Sequence, residues 1–332
     1  MRAARIHSYG PPDVLKIDDV AVPTAGPNDV LIEVHASSVN PVDTKIRSGA
    51  QRGVIRYALP HTLGLDVSGV VTEVGANVTD FEVGDEVVSS PTHKRPGCYA
   101  EHVAIDASAV AKKAPSLSHH EAASIPLVAL TAWQGLVDFG GVREGDKVFV
   151  QAGSGGVGSV AIQIAKHFGA YVATTCSTRN VELVTSLGAD EVIDYTKADY
   201  AEVLSDYDIV VDNLGYEHLP KARGVLKRGG RLAMNVGGIP GATKKYGPNL
   251  GAVAAIGGAV RFIVASRLFH GVRARNVLRP SDGGRLAQIM ALCEEGAIRP
   301  TIDSVVPLDQ IADAHAKSET GRARGKIVIA VK

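Results

Sequence analysis

The feature that most constrains this chain runs from Lys147 to Asn180, KVFVQAGSGGVGSVAIQIAKHFGAYVATTCSTRN, with glycines at positions 153, 155 and 158. Val148 to Val150 form a short apolar run, as a strand covered on both faces requires. Val157, Val160, Ala161, Ile164, Ala165 and Phe168 then recur at helical spacing and make one apolar stripe. Gly169 stands where a helix C-cap glycine belongs, and a second apolar run, AYVATT, follows. Alone, G-x-G-x-x-G is a weak signal. Between a strand and a helix it is a turn whose backbone N–H groups approach a pyrophosphate, while the helix N-terminus favours the negative charge. A glycine-rich turn with no ligand is the competing reading, and the flanking strand, helix and second strand weigh against it.

The end of the second strand bears on which dinucleotide is held. NAD sites place Asp or Glu about 20 residues past the turn, bonded to the ribose 2′-OH. Here the strand runs into Cys176, Ser177, Thr178 and Arg179. No carboxylate on this segment repels a 2′-phosphate, and Arg179 offers planar donors that match phosphate oxygens. NADPH is therefore the expected cofactor. An ordinary exposed arginine opening the next helix is the alternative reading of Arg179.

A length of 332 residues predicts two domains with ample material for cores. Lys plus Arg number 35 and Asp plus Glu number 35, so the overall charge calls for neither nucleic acid nor an anionic membrane. Cys98, Cys176 and Cys293 are odd in number and far apart, which argues against a disulfide framework and fits a reducing cytosol. MRAARIHSYG lacks the apolar core of a secretory signal, so a cytoplasmic location is expected. One stretch looks membrane-like, Leu250 to Phe269. It contains Gly251, Gly257, Gly258, Arg261 and Arg267. A central arginine is costly in a bilayer and glycines weaken a lone helix, so the stretch is expected to be a helix packed on protein, with no membrane partner.

Residues 1 to about 120 read as all-β, with short runs such as VLIEVHASSV and VSGVVTEVGA separated by Pro, Gly, Asn and Asp clusters. The spacing suits a compact barrel. Ser118 and Glu121 form a capping-box pattern at the start of a helix that Pro126 interrupts. From Lys147 strands and helices alternate (KVFVQA, AYVATT, EVIDY, DIVVDNLG, GRLAMNVGG), which predicts a parallel doubly wound sheet. RARNVLRP is a candidate edge strand, followed by a helix around Leu286 to Cys293. After Pro300 the pattern is strand, helix, strand, expected to return to the barrel. The expected class is α/β, with a catalytic domain at 1–122, a dinucleotide-binding domain at 123–297 and a return at 298–332.

These motifs together carry a resemblance. SSVNPVDTKIRSG, GLDVSGVVTEVG, EAASIPLVALTAWQGL, VFVQAGSGGVG, SLGADEVIDY, VVDNLG and GRARGKIVI occur in the order and spacing of the medium-chain dehydrogenase/reductase superfamily. Within it the chain resembles the zinc-independent quinone oxidoreductases of the zeta-crystallin type. The resemblance implies a GroES-like β-barrel catalytic domain, a Rossmann domain and a cofactor in the cleft between them. Zinc relatives carry a Cys ligand after an early strand and a Gly-His-Glu further on. Here those regions read Val39-Asn40-Pro41-Val42-Asp43 and Gly64-Leu65-Asp66. Leu65 cannot ligate a metal, and catalytic zinc needs three protein ligands. Neither Cys98 with His102 nor His119 with His120 has a third partner at ligand spacing, so no metal is expected. Without zinc, the hydride acceptor must already be electron-poor: a quinone or an α,β-unsaturated carbonyl.

The resemblance places Asn40 and Lys45 beside the nicotinamide, as catalytic and cofactor-contacting residues, and Thr131 near it. Lys45 would donate to a developing enolate or hydroquinone oxygen, or contact the cofactor ribose; an exposed barrel lysine is the alternative. Gly155, Gly156 and Val157 present backbone to the pyrophosphate, and Ser177, Arg179 and Tyr195 surround the 2′-phosphate. The loops from Asn213 to Gly215 and from Asn235 through Val236 and Gly237 to Gly238 end later strands and should pass the cofactor. Arg322 and Lys326 match C-terminal basic residues that reach back toward it. Tyr57 lies several residues beyond the offset at which related enoyl-thioester reductases place a proton-donating tyrosine, so water is left as a source of the product's proton. Two other functions stay open: a 2-enoyl thioester reductase, and a low-activity NADPH-binding structural or RNA-binding protein. Their local support is the group Arg261, Arg267, Arg273, Arg275 and Arg279. A homodimer is expected, through an edge strand near 273–278.

Overall fold

The computed structural model describes every residue of the chain except Val236. The chain forms two compact units, Met1–Leu130 with Pro280–Lys332, and Thr131–Arg279.

The first unit is organised by one long strand, Asp29–Val39. Its first half pairs antiparallel with His102–Asp106, and most of its length with Val67–Val74. Its last four residues pair with the C-terminal strand Lys326–Ala330. This strand buries Val30, Ile32 and Val34, and then Ala36 and Val39, in three clusters of the unit. Alternation along it leaves Glu33 and His35 half-buried, the period-2 signature of a sheet with one packed face. Ile302–Pro307, Glu86–Ser89 and Val110–Lys112 complete a seven-stranded sheet. The expected barrel is thus an open sheet: among the described residues no pairing joins its terminal strands, Ile302–Pro307 and Val110–Lys112. The return to this unit also comes earlier than residue 298. The helix Gly283–Glu294 packs against Val110–Lys112, and Ser281 Oγ donates to the Ser90 carbonyl at 2.8 Å. An amphipathic stripe defines a helix but not the sheet that covers it, so sequence alone leaves this helix with the preceding domain.

The second unit is a six-stranded sheet whose pairings are all parallel. In space its strands run Glu191–Asp194, Tyr171–Cys176, Lys147–Val150, Tyr207–Asp212, Leu226–Met234 and Arg273–Asn276. That is the order 3-2-1-4-5-6 of a doubly wound dinucleotide fold, with the glycine turn at the carboxyl end of the central first strand. Phe149, Ala173, Val210, Leu232 and Met234 share one buried cluster with Tyr200 and Tyr207. The edge strand Arg273–Asn276 is present as expected.

The membrane-like stretch is a helix packed on protein, as expected, but along one face. Pro248–His270 is one 23-residue helix. It packs on the helix Ile239–Tyr246 and on the edge strand. Only Gly251, Ala252, Ala255 and Ser266 are buried, and Leu250, Leu268 and Phe269 are 70%, 71% and 76% exposed. The expected helix packed on protein is therefore present, covered along one face only. Gly251, Ala252 and Ala255 face inward, where they allow close approach to the neighbouring helix, and Phe262 and Ile263 pack on the core of the unit; Leu250, Val253, Ile256, Val260, Val264 and Leu268 face outward.

Candidate active site

In the second unit, the glycines of the turn do different work. A Cβ on Gly153 would lie 2.1 Å from Thr174 Oγ1, and one on Gly158 would lie 2.2 Å from the Ala152 carbonyl and 2.8 Å from Gly153 Cα. These two positions exclude any side chain because strand, turn and helix touch there. Gly155 has only the Ala152 carbonyl nearby, at 3.3 Å. It caps the helix Gly156–His167 from an extended conformation, so space remains where a phosphate must reach the helix N–H groups. Gly155, Gly156 and Val157 are thus at the helix N-terminus, as expected.

Polar side chains gather around this turn. Asn180 Nδ2 donates to Ser154 Oγ at 2.9 Å and to Ser177 Oγ at 3.3 Å, tying the tip of the second strand to the turn. Tyr195 N–H donates to the Cys176 carbonyl at 3.1 Å, which brings Tyr195 to the tip that carries Ser177 and Arg179. Arg179 and Tyr195 are exposed there. Sequence reasoning missed Asp194, which pairs in register with Cys176 and sets a carboxylate on the neighbouring strand tip. The hydroxyls of Thr178 and Thr196 hold it down to about 2, so it is an anion whose oxygens are turned to these partners. Asn213 Nδ2 donates to the Gln151 carbonyl at 2.8 Å, and Asn235 Nδ2 to Asn213 Oδ1 at 2.7 Å. The loops after the fourth and fifth strands are thereby fixed to the residue that precedes the turn. Asn235 Oδ1 is buried with no partner, an acceptor a ligand's donor would satisfy. Gly237 is exposed, and Val236 lies outside the described residues. Thr131 is buried in the helix Pro126–Trp133. A close-approach turn, an open helix N-terminus and an orphaned acceptor fit a dinucleotide.

In the first unit, the long strand ends at Val39 and a helix, Pro41–Arg47, begins at once. Pro41 pre-sets the first helical position, and Asp43 Oδ2 accepts from the Asn40 backbone N–H at 2.9 Å. Behind this corner lies a buried carboxylate. Asp66 Oδ2 accepts from Ser38 Oγ at 2.7 Å, Asn40 Nδ2 at 2.8 Å and Lys326 Nζ at 3.2 Å, and its Oδ1 from the Leu127 N–H at 2.7 Å. Lys326 also donates to the Val39 carbonyl at 3.1 Å and to Asn40 Oδ1 at 2.5 Å. Two expected roles change as a result. The Asn40 amide is wholly buried and bonded at both ends, so it does not present a donor to substrate. Lys326 has three protons and uses all three inside the unit. Both position the corner from which the next helix starts. Arg322 is exposed in the turn before Lys326–Ala330.

Lys45 projects from that helix, half-buried, and makes no ion pair among the described residues. Burial lowers its pKa, because a desolvated ammonium loses hydration that no partner replaces. Beneath it, Asp43 Oδ2 also accepts from Tyr99 OH at 3.2 Å, and Asp43 Oδ1 has no partner. Burial raises this carboxyl to about 7; the Asn40 N–H opposes the shift and nearby Asp66 adds to it. His315 Nε2 lies 3.3 Å from Tyr99 OH, and burial pushes the imidazole down to about 3. Tyr57 stacks on His61 with ring centroids 3.8 Å apart, and burial raises its phenol, so it keeps its proton. Leu65 is buried, and among the described residues no three His, Cys, Asp or Glu side chains converge as a metal site. His119 instead contacts Ser68 Oγ at 2.7 Å and stacks near His35.

The two units have the plan of a dinucleotide-dependent oxidoreductase. Residues 26–116 match the alcohol dehydrogenase GroES-like domain, and residues 187–329 match the zinc-binding dehydrogenase family model. A 2-methylene-furan-3-one reductase of Solanum lycopersicum is 37% identical over 342 residues, covering 99% of this chain and 79% of its own. An NADPH-dependent alkenal/one oxidoreductase of Arabidopsis thaliana is 36% identical over 344 residues, with the same coverage of 99% and 79%. The structure of a quinone oxidoreductase from Coxiella burnetii superposes with a TM-score of 0.88 at 33% identity, covering 100% of this chain and 99% of that one. The chain belongs to the medium-chain dehydrogenase/reductase superfamily, among its quinone oxidoreductase-like members.

Two outcomes follow from this geometry. Gly158→Ala forces a methyl group against the Ala152 carbonyl, and overpacking of this kind costs about 1–3 kcal/mol. Thermal denaturation should show that loss, and fluorescence titration should show weaker dinucleotide binding. Asp43 stays protonated in the folded chain up to about 7, whereas an unfolded Asp ionises at about 3.9. The folded state therefore binds the extra proton between those values, and this group's contribution to stability falls as pH rises through the window. The melting temperature of Asp43→Asn, relative to the unsubstituted protein, should rise as pH rises from about 4 to about 7; a constant difference would contradict the assignment.

Proposed function

We propose that the protein is an NADPH-dependent oxidoreductase that passes hydride to quinones or to the β-carbon of α,β-unsaturated carbonyl compounds, without zinc. The observation that carries the cofactor is the turn Gly153–Gly158 with Ser177 and Arg179 at the next strand tip; the nearby carboxylate, Asp194, stands on the neighbouring strand and is bonded to the Thr178 and Thr196 hydroxyls. The acceptor class is supported by whole-length likeness to reductases of a methylene-furanone and of alkenals and alkenones. Zinc independence is supported by buried Leu65, an apolar side chain where zinc relatives place a histidine. Bound NADPH supplies the hydride.

The chain's own groups bind, orient and protonate. Backbone N–H groups of Gly156 and Val157 receive the pyrophosphate, and the Arg179 guanidinium pairs with the 2′-phosphate, with Ser177 and Tyr195 beside it. Lys45 serves the acceptor oxygen. Hydride addition leaves negative charge on that oxygen, and a nearby ammonium stabilises it as it develops. The lowered pKa of Lys45 makes it a stronger acid than an exposed lysine, so it can pass its proton to the enolate or hydroquinone oxygen. Hydride plus this proton complete the hydroquinone, or for an enone the enol, which becomes the saturated carbonyl when water protonates the α-carbon and takes the O–H proton; water also returns a proton to Lys45. Asn40 and Lys326 hold the corner that launches the Lys45 helix. We also infer a homodimer formed through the strand Arg273–Asn276, whose outer edge has no strand partner among the described residues. Cys98, Cys176 and Cys293 are buried and form no disulfide among the described residues, which supports a reducing, cytoplasmic setting.

The reading is tested by NADPH oxidation with 1,4-benzoquinone, a small enone and crotonyl-CoA, using NADH and a chelator as controls. Chelator-insensitive turnover of the quinone or the enone with NADPH is expected; turnover of crotonyl-CoA alone would assign the chain to the enoyl-thioester reductases. Lys45→Ala should lower kcat on the order of 10²-fold and leave NADPH affinity little changed. Arg179→Ala should raise the Kd for NADPH about tenfold or more, with NADH unaffected. Equal effects on both cofactors would remove the 2′-phosphate role.

A further inference from the structure

We propose that the outward face of the helix Pro248–His270 is a docking surface for an anionic lipid bilayer, on which the protein lies peripherally. Leu250, Val253, Val260, Val264 and Leu268 are exposed on this helix together with Ile256. At 100° per residue they fall within one arc roughly 120° wide, and the helix is about 34 Å long. Arg261 and Arg267 lie toward the two sides of this arc, and Phe269 closes its C-terminal end. The opposite face is spoken for. Phe262 and Ile263 pack on the core cluster of the second unit, and a Cβ on Gly251 would lie 2.6 Å from the Ala242 carbonyl.

By length and composition the helix could cross a bilayer. Its inner face is anchored to its own unit and Arg261 interrupts its middle, so it lies along a surface rather than through one. Charge selects the occupant. From His218 to Ser281 the chain has twelve Lys and Arg and no Asp or Glu, although the whole chain is balanced at 35 of each. Two of these cations, Lys221 and Lys227, pair with Asp199 and Asp208. Lys244, Arg261 and Arg267 make no ion pair among the described residues, and all three are exposed. A second copy laid helix to helix on this face, away from the edge strand, would bring the same cations and no acid to meet them. A nucleic acid would match the charge and leave a stripe of aliphatic side chains in water. An anionic bilayer satisfies both: phosphates meet the cations while the aliphatic stripe enters the acyl boundary. The same surface dissolves lipophilic quinones, one of the two acceptor classes proposed above, but docking does not depend on that reading.

The test is co-sedimentation of the intact protein with vesicles of phosphatidylcholine carrying about one third phosphatidylglycerol, against phosphatidylcholine alone. Binding to the anionic vesicles, weakened by high salt, is expected. The triple variant Val253→Asp, Val260→Asp, Leu268→Asp should bind about tenfold or more weakly, with unchanged turnover of a soluble acceptor. Should that variant fail to fold, Arg261→Gln with Arg267→Gln replaces it and should lower binding and its salt dependence. The proposal is overturned if the unsubstituted protein stays in the supernatant, whether or not it binds single-stranded RNA. It is also overturned if the folded variants bind vesicles as well as the unsubstituted protein, or if light scattering shows that the aspartates split a dimer, since the stripe would then be covered by a second copy.

Discussion

The first unit depends on one buried carboxylate. Asp66 gathers Ser38, Asn40, Lys326 and the Leu127 N–H, groups that lie up to 260 positions from it in the chain. A buried ion pair is costly to desolvate, and this one is sustained because each donor and acceptor around it has a partner. Removing either charge would strand the other in the interior, which is far costlier than exchanging the pair for apolar residues. The C-terminal strand Lys326–Ala330 is therefore held at Asn40 by electrostatics as well as by its ladder with the long strand. The corner at Asn40 then fixes where the helix Pro41–Arg47 begins, and with it the direction in which Lys45 leaves the backbone. The role proposed for Lys45 needs this rigidity. Its depressed pKa follows from desolvation, and a helix that frayed would let water restore it.

The second unit solves a different problem, bringing backbone close to a large anion. It does so by removing side chains. Gly153 and Gly158 allow strand, turn and helix to touch, and Gly155 leaves space above the helix N-terminus. The surrounding polar groups are then arranged by side chain–backbone bonds, Asn213 to Gln151 and Asn180 to the turn serine, so that the loops after separate strands share one frame. Such preorganisation lowers the ordering cost of binding.

The local devices were legible in the sequence because their physics is local. The glycine spacing, the stripe from Val157 to Phe168 and the Ser118–Glu121 capping box all form as read; the last has Ser118 N–H donating to Glu121 at 2.9 Å and Glu121 N–H to Ser118 Oγ at 3.3 Å. What escaped was pairing at a distance. The partners of Asp66 lie far along the chain, so Asn40 and Lys326 read as ligand-facing groups when their bonds are in fact internal. Asp194 joins Cys176 only because two parallel strands share a register, and no pattern along one strand announces the tip of its neighbour. The helix Gly283–Glu294 has a clear stripe, but a stripe does not name the sheet that covers it.

The helix Pro248–His270 shows the same limit from the other side. Its hydrophobicity is visible in sequence, and burial is the natural inference from it. Composition does not say which residues face inward. Here Gly251, Ala252, Ala255 and Ser266 take the inner face beside Phe262 and Ile263, and the other large aliphatic side chains are left outside. A soluble chain rarely leaves so long an apolar stripe uncovered, and the absence of acidic residues over the whole segment around it is a second departure from an otherwise balanced composition. Either feature alone has an ordinary explanation, a subunit contact or a solvated basic face. Together they describe a surface that is apolar at its centre and cationic around it, which is the complement of an anionic membrane interface rather than of the protein's own surface.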